Sequence, residues 1–213
     1  REKNLDGILG TIFGSSPKYS YLQGNVMSKP QNLSGLAVIS PRNDLSLNEV
    51  GMPKSLAKEV YRPLVVRKLS EQGMKPSQAI QEIEEGTDSA KRALDEAVSQ
   101  RPVIINRAPT LHKTGMAAMW PRLTDEETLE VPPALVDTLG GDFDGDTMMF
   151  HVPVTEDAIN DAVENMLPTK NLLGPQEGES IYPTTKEISL GLYLGTREPD
   201  EDTELKEYET KQD

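Results

Sequence analysis

The spacing of hydrophobic positions changes twice along the chain, and each change predicts a different kind of element. Residues 1–34 are rich in Gly, Ser, Asn and Gln with weak periodicity, which predicts loop with short elements. Leu36–Ser40 (LAVIS) is a short apolar run that predicts a strand, ended by Pro41. From Pro53 the apolar period lengthens. Leu56, Val60, Leu64, Val65 and Leu69 fall on one helical face, Gly73 stops the run, and Pro63 inside it predicts a kink. Ser77 is placed to cap a second helix with Ile80 and Ile83 inward. Thr87 or Asp88 is placed to cap a third, with Ala90, Leu94, Ala97 and Val98 inward.

After Arg101-Pro102 the texture shortens again. Val103-Ile104-Ile105 predicts a strand, and β-like runs follow around Met116–Trp120, Thr128–Val131 and Met148–Val154, broken by Pro and Gly. Thr155 then caps a predicted helix carrying Ala158, Ile159, Ala162, Val163 and Met166 at core spacing, ended by Pro168. One more apolar segment lies within Ile181–Gly195. The pattern therefore predicts an α+β chain: a helical region, a small β unit and a helix near the end. There is no internal repeat.

Composition bounds what such a chain does. At 213 residues, one or two ordinary domains fit. No apolar run approaches the ~18 residues of a membrane span, and no basic-then-apolar leader opens the sequence. The absence of Cys excludes disulfides, thiolate zinc sites and a Cys nucleophile. Two histidines, His112 and His151, argue against a multi-His metal site. The first residue is Arg rather than Met, as in a fragment or processed chain. The net charge is -13, but its distribution matters more. Residues 1–113 carry 16 Lys and Arg against 12 Asp and Glu, residues 114–196 carry 3 against 15, and residues 197–213 carry 3 against 8. The first part is suited to meeting a polyanion. The second repels one unless cations intervene.

The sharpest chemistry is Gly140-Gly141-Asp142-Phe143-Asp144-Gly145-Asp146. Carboxylates at i, i+2 and i+4 diverge on a helix and stand ~7 Å apart on a straight strand. Oxygens that share one Mg²⁺ at ~2.1 Å lie at most about 4.2 Å apart. Convergence therefore requires a curled backbone, for which the glycines supply the freedom. From Leu123 to Thr169 there are twelve acids and no Lys or Arg. Clustered carboxylates without a local basic partner protonate, splay into water or bind a cation. An all-oxygen donor set selects Mg²⁺, Mn²⁺ or Ca²⁺ over zinc. A solvated acidic turn is the alternative, opposed by the apolar Phe143 and Met148-Met149-Phe150. An EF-hand beginning at Asp142 is excluded, because its sixth and twelfth positions are Thr147 and Pro153. A phosphatase loop of the DxDGT kind fails at Asp146 and remains a weaker alternative. A second motif, Asn106-Arg107-Ala108-Pro109-Thr110-Leu111-His112-Lys113, follows the predicted strand. Arg107 is its phosphate or ribose contact, unless it lies in an ordinary surface turn.

Together these segments resemble the largest, β′-type catalytic subunit of multisubunit DNA-dependent RNA polymerases. Residues 103–112 are close to the family's VLLNRAPTLH, Gly140–Asp146 to its NADFDGD, and His151-Val152-Pro153 to its HVP. Ser34-Gly35, Asn48–Pro53, Asn171–Pro175 and Leu190–Tyr193 match weaker family segments, so that the likeness runs over roughly residues 25–196.

The resemblance implies a double-psi β-barrel carrying Asp142, Asp144 and Asp146 as joint ligands of a catalytic Mg²⁺, with Arg107 as substrate contact. It implies nucleotidyl transfer from an NTP to an RNA 3′ end, in an enzyme active only with partners. Those partners are a second, β-type large subunit, the remaining β′-type segments, DNA template and RNA product, in the cytoplasm of a bacterial or phage-infected cell and without membrane contact. It divides the chain into a loop-rich segment with the first barrel strand (1–41), a helical insertion (42–101), the barrel core with its following helix (102–196) and an acidic tail (197–213). A non-catalytic scaffold of the same fold is the rival, and the intact aspartates oppose it. Two departures stand out. Gly140 replaces the family's Asn, and in the segment corresponding to GKRVDYSGR both arginines are lost, to Pro30 and Leu36, while Lys29 is kept. Such drift suggests a phage-encoded or otherwise divergent polymerase.

Overall fold

The computed structural model describes residues 8–13, 20–27, 31–173, 178, 180–182 and 186–197. Lys29, Pro30, Gly174-Pro175 and the acidic tail after Arg197 lie outside them.

Six strands close into a barrel: β1 (Ser34–Pro41), β2 (Glu49–Pro53), β3 (Val103–Asn106), β4 (Met116–Thr124), β5 (Leu129–Val131) and β6 (Thr147–His151). Their order around the barrel is β1-β5-β2-β4-β3-β6, and β6 pairs back onto β1. The consecutive pairs β1–β2 and β4–β5 interleave in that order, so each connection crosses the other. Two contacts are parallel, β1 with β5 and β2 with β4, and the rest are antiparallel. With the helices, this is an α+β fold with the double-psi barrel architecture.

Alternation along the strands fills the barrel. Ala37 and Ile39 of β1, Val103 and Ile105 of β3, and Met148 and Phe150 of β6 are buried, whereas Leu36, Val38 and Met149 face outward and are exposed. Closure pairs β6 on both sides, so His151 is an internal strand residue, opposite Ser34 of β1 and Ile104 of β3. Its Nδ1 lies 2.7 Å from Ser34 Oγ on β1.

β2 is the strand that the apolar pattern does not predict. Val50 and Met52 are fully buried, and the strand is held between β4 and β5. The predicted helical run from Pro53 begins directly after it and splits at Tyr61 into α2 (Lys54–Val60) and α3 (Arg62–Glu71). Pro63 sits in the first turn of α3, where its missing N–H costs nothing. In α4 (Pro76–Glu85) the cap position belongs to Lys75, not Ser77, because Pro76 with its fixed φ takes the first helical position. Ala79 and Ile83 turn inward, and Ile80 is exposed. α5 (Asp88–Ser99) is capped by Thr87, whose Oγ1 accepts from Ala90 N. Ala90, Ala93, Ala97 and Val98 are buried there, and α2–α5 share one continuous core with the barrel.

The outer face of β3 and β4 is covered by the following helix. α7 (Glu156–Asp161) is capped by Thr155 and continues into a wider turn at Ala162–Met166. Ala162 and Leu167 pack on Ala118, with Ile104 and Trp120 beside them. A short helix α1 (Ile8–Phe13) precedes the barrel. A one-turn helix, α6 (Pro133–Val136), leads into the acidic loop, and α8 (Lys186–Thr196) forms the predicted final apolar segment. Among the described residues no helix is long and apolar enough to cross a membrane.

Candidate acidic-loop active site

The loop between α6 and β6 carries all three aspartates. It turns sharply: Leu139 N donates to Leu135 O, Gly140 N to Asp137 O and Gly141 N to Val136 O at 2.9–3.0 Å. Gly140 and Gly145 have φ of 68° and 108°, a conformation that side chains with a Cβ resist. Phe143 anchors the loop by packing against the core. At its far end Asp146 O accepts from Ile39 N of β1 at 3.0 Å, and β6 begins at the next residue.

Arg107 comes from the end of β3. The antiparallel register Asn106↔Met149 brings it beside the residues that precede β6. Its Nε lies 2.7 Å from Asp146 Oδ2, one terminal nitrogen donates to Asp146 Oδ1 at 3.3 Å, and the other donates to Gly140 O at 2.7 Å. The turn behind it is tied by Asn106 Nδ2 donating to Thr110 Oγ1 and Thr110 Oγ1 donating to Arg107 O, both at 3.3 Å. Asp142 N also donates to Asp146 Oδ2, at 3.0 Å. This N–H first, and then the Arg107 guanidinium, hold the Asp146 carboxyl below the usual Asp range.

The three acids therefore differ. Asp146 is half-buried and paired. Asp142 is exposed, its Oδ1 accepting from Phe143 N at 2.8 Å. Asp144 is exposed and makes no hydrogen bond or ion pair among the described residues. Counting Lys and Arg within Leu123–Thr169 misses Arg107, which reaches Asp146 across 39 positions of sequence. Among the described residues no three Asp, Glu or His side chains are gathered closely enough to hold a metal ion in this arrangement. Of the predicted site, the fold brings Arg107, Gly140 and Asp146 together and leaves Asp142 and Asp144 facing solvent. His112 is exposed and takes no part in these contacts.

Comparison with known proteins fits both motifs. A family model described as RNA polymerase Rpb1, domain 2, matches residues 77–167, which include Arg107 and the whole acidic loop. The DNA-directed RNA polymerase subunit beta' of Marinomonas sp. (strain MWYL1) is 36% identical over 183 residues, covering 85% of this chain and 13% of that protein. That of Leptothrix cholodnii is 34% identical over 199 residues, covering 92% of this chain and 14% of that protein. The chain belongs to the β′ family of RNA polymerase large subunits. It spans about an eighth of the length of the curated relatives it matches.

For a β′-family chain, the donor chemistry fits a hard divalent cation. Three carboxylates sit on one curled loop, and among the described residues Asp144 has no other bond and no sulfur or imidazole group joins the three acids. A further charged cluster escaped the sequence reading. Glu130 on β5 is buried and paired with Arg42 at 2.7 Å, and Arg42 also holds Asp44. Alternation with Leu129 and Val131 predicts an outward Glu130, whereas all three residues of β5 are buried, so the sequence carries no local signal for this pair.

Proposed function

We propose that this chain is part of the catalytic core of a DNA-directed RNA polymerase, and that Asp142, Asp144 and Asp146 hold a catalytic Mg²⁺. The carrying observation is the meeting of the NRAPTLH and DFDGD motifs through the Arg107–Asp146 contact at the mouth of the barrel. When bound, Mg²⁺ supplies charge stabilisation at the reacting oxygens during nucleotidyl transfer from an NTP to an RNA 3′ end. The chain's own residues do the rest. The aspartates supply hard negative oxygens at fixed places on the loop. Arg107, a planar donor, is suited to a nucleotide's phosphate or ribose oxygens. Gly140 contributes no side chain there, so Arg107 carries this chain's share of sugar contact. The partners are a β-type subunit, the remaining β′-type segments, template DNA and RNA, and the setting is cytoplasmic.

The test is Asp144→Asn in the assembled enzyme. Asp144 has no structural partner among the described residues, so the fold is expected to survive while elongation falls about 10³-fold or more. Elongation within a few-fold of wild type would remove the metal role from the loop.

A further inference from the structure

The bonds around Asp146 bear on how the loop is controlled. Each carboxylate oxygen offers two lone pairs. Both pairs of Oδ2 are engaged, one by Arg107 Nε at 2.7 Å and the other by Asp142 N at 3.0 Å. Oδ1 accepts a second Arg107 nitrogen at 3.3 Å. A Mg²⁺ ligand must offer an oxygen lone pair at ~2.0–2.1 Å; Oδ2 has none left while Arg107 and Asp142 N hold it, and the pair left on Oδ1 lies on an oxygen that Arg107 also holds. Charge acts in the same direction, since a guanidinium and a divalent cation repel at one carboxylate. The third Arg107 contact, to Gly140 O at 2.7 Å, fixes the guanidinium over the loop. About one-third of the Arg107 side chain remains exposed, so it has a path into solvent.

We propose that Arg107 and a divalent cation are alternative counter-ions of Asp146. Arg107 neutralises and braces the unloaded loop, and it leaves Asp146 for a nucleotide when the loop is loaded. Arg107 is thus a positioning residue as well as a substrate contact. This rests on the reading above that the loop takes a divalent cation. Asp144, which has no competing bond among the described residues, would be the arm free to meet the cation first, with Asp146 joining once the guanidinium has moved.

The test is Mn²⁺ binding to the 213-residue chain, followed by electron paramagnetic resonance. The site is counted as the Mn²⁺ that Mg²⁺ displaces and that Asp144→Asn abolishes. Arg107→Gln removes the charge and shortens the reach. It is expected to tighten that site by about tenfold or more, within the usual range for coupled binding events. In wild type, the ¹⁵Nε resonance of Arg107 should shift on Mg²⁺ addition with the same midpoint. Equal Mn²⁺ affinity in wild type and Arg107→Gln, or an unmoved Arg107 resonance at saturating Mg²⁺, overturns the competition and leaves the metal reading standing. If neither protein holds displaceable, Asp144-dependent Mn²⁺, the metal reading falls and the competition falls with it.

Discussion

Asp146 receives two kinds of support. The N–H of Asp142 and the Arg107 guanidinium both favour its ionised form, and both lower its pKa from the ordinary Asp value, with the N–H acting more strongly. A lowered folded-state value means that the contribution to stability is present above the unfolded value of about 3.9 and is lost as pH falls through the folded value. The acid limb of the stability curve is where Asp146 acts, and neutral pH leaves it untouched. A carboxyl-carbon NMR titration should place the Asp146 midpoint below an ordinary Asp. Arg107→Ala should raise that midpoint only part of the way, because the Asp142 N–H remains. A wild-type midpoint at or above the ordinary value would show that the contacts to Asp146 do not persist in solution.

At the scale of elements, the barrel depends on how closely β2 and β5 approach. Gly51 lies opposite Glu130. A Cβ on Gly51 would stand 2.7 Å from the Glu130 Cβ, inside any normal contact distance. Glu130 has little freedom to yield, since its carboxylate is held by Arg42 at 2.7 Å. Gly51→Ala should therefore cost about 1–3 kcal/mol, the usual range for overpacking a closed interior. Urea unfolding measures this, and a loss below about 0.5 kcal/mol would mean that the strands separate without cost. The same pair of strands marks the limit of what the sequence reveals. LAVIS, Val103–Ile105 and the helices capped by Thr87 and Thr155 are legible because their signals are local: apolar period and cap chemistry. Glu49–Pro53 (EVGMP) carries a Gly and a Pro and no clean alternation. It is a strand because β4 and β5 supply partners from 70–80 residues away in sequence. The acidic loop was legible from its carboxylates and glycines. Its cation was not, because the β3–β6 register that delivers Arg107 is a tertiary fact. Ser77 failed as a cap for a nearer reason, the fixed φ of Pro76 beside it.

For the whole molecule, the charge balance limits what this chain does unaided. A triphosphate approaching the acidic loop meets a block of residues 114–196 with 3 basic and 15 acidic side chains. Among the described residues Arg107 is the basic side chain that bonds to the loop, and it is committed to Asp146 and Gly140. Phosphoryl-transfer sites place several cations around the transferring group. On the proposed function, metal ions would offset part of the repulsion, and the remaining positive charge would come from partner protein. The surface is consistent with this. Leu190, Leu192, Tyr193 and Leu194 of α8 are all more than half exposed. At 100° per residue they spread around the helix, a distribution found where other protein encloses a helix on several sides. The purified 213-residue chain should therefore give no template-directed extension of a primed RNA at any Mg²⁺ concentration. Extension should appear on addition of a β-type subunit and the remaining β′-type segments, and it should vanish again with Asp144→Asn. The measurement is single-nucleotide incorporation on a defined primer–template, with the mutant assembly as the background. Incorporation by the chain alone above that background would mean that it carries its own triphosphate cations. The division of labour between this chain and its partners would then have to be abandoned.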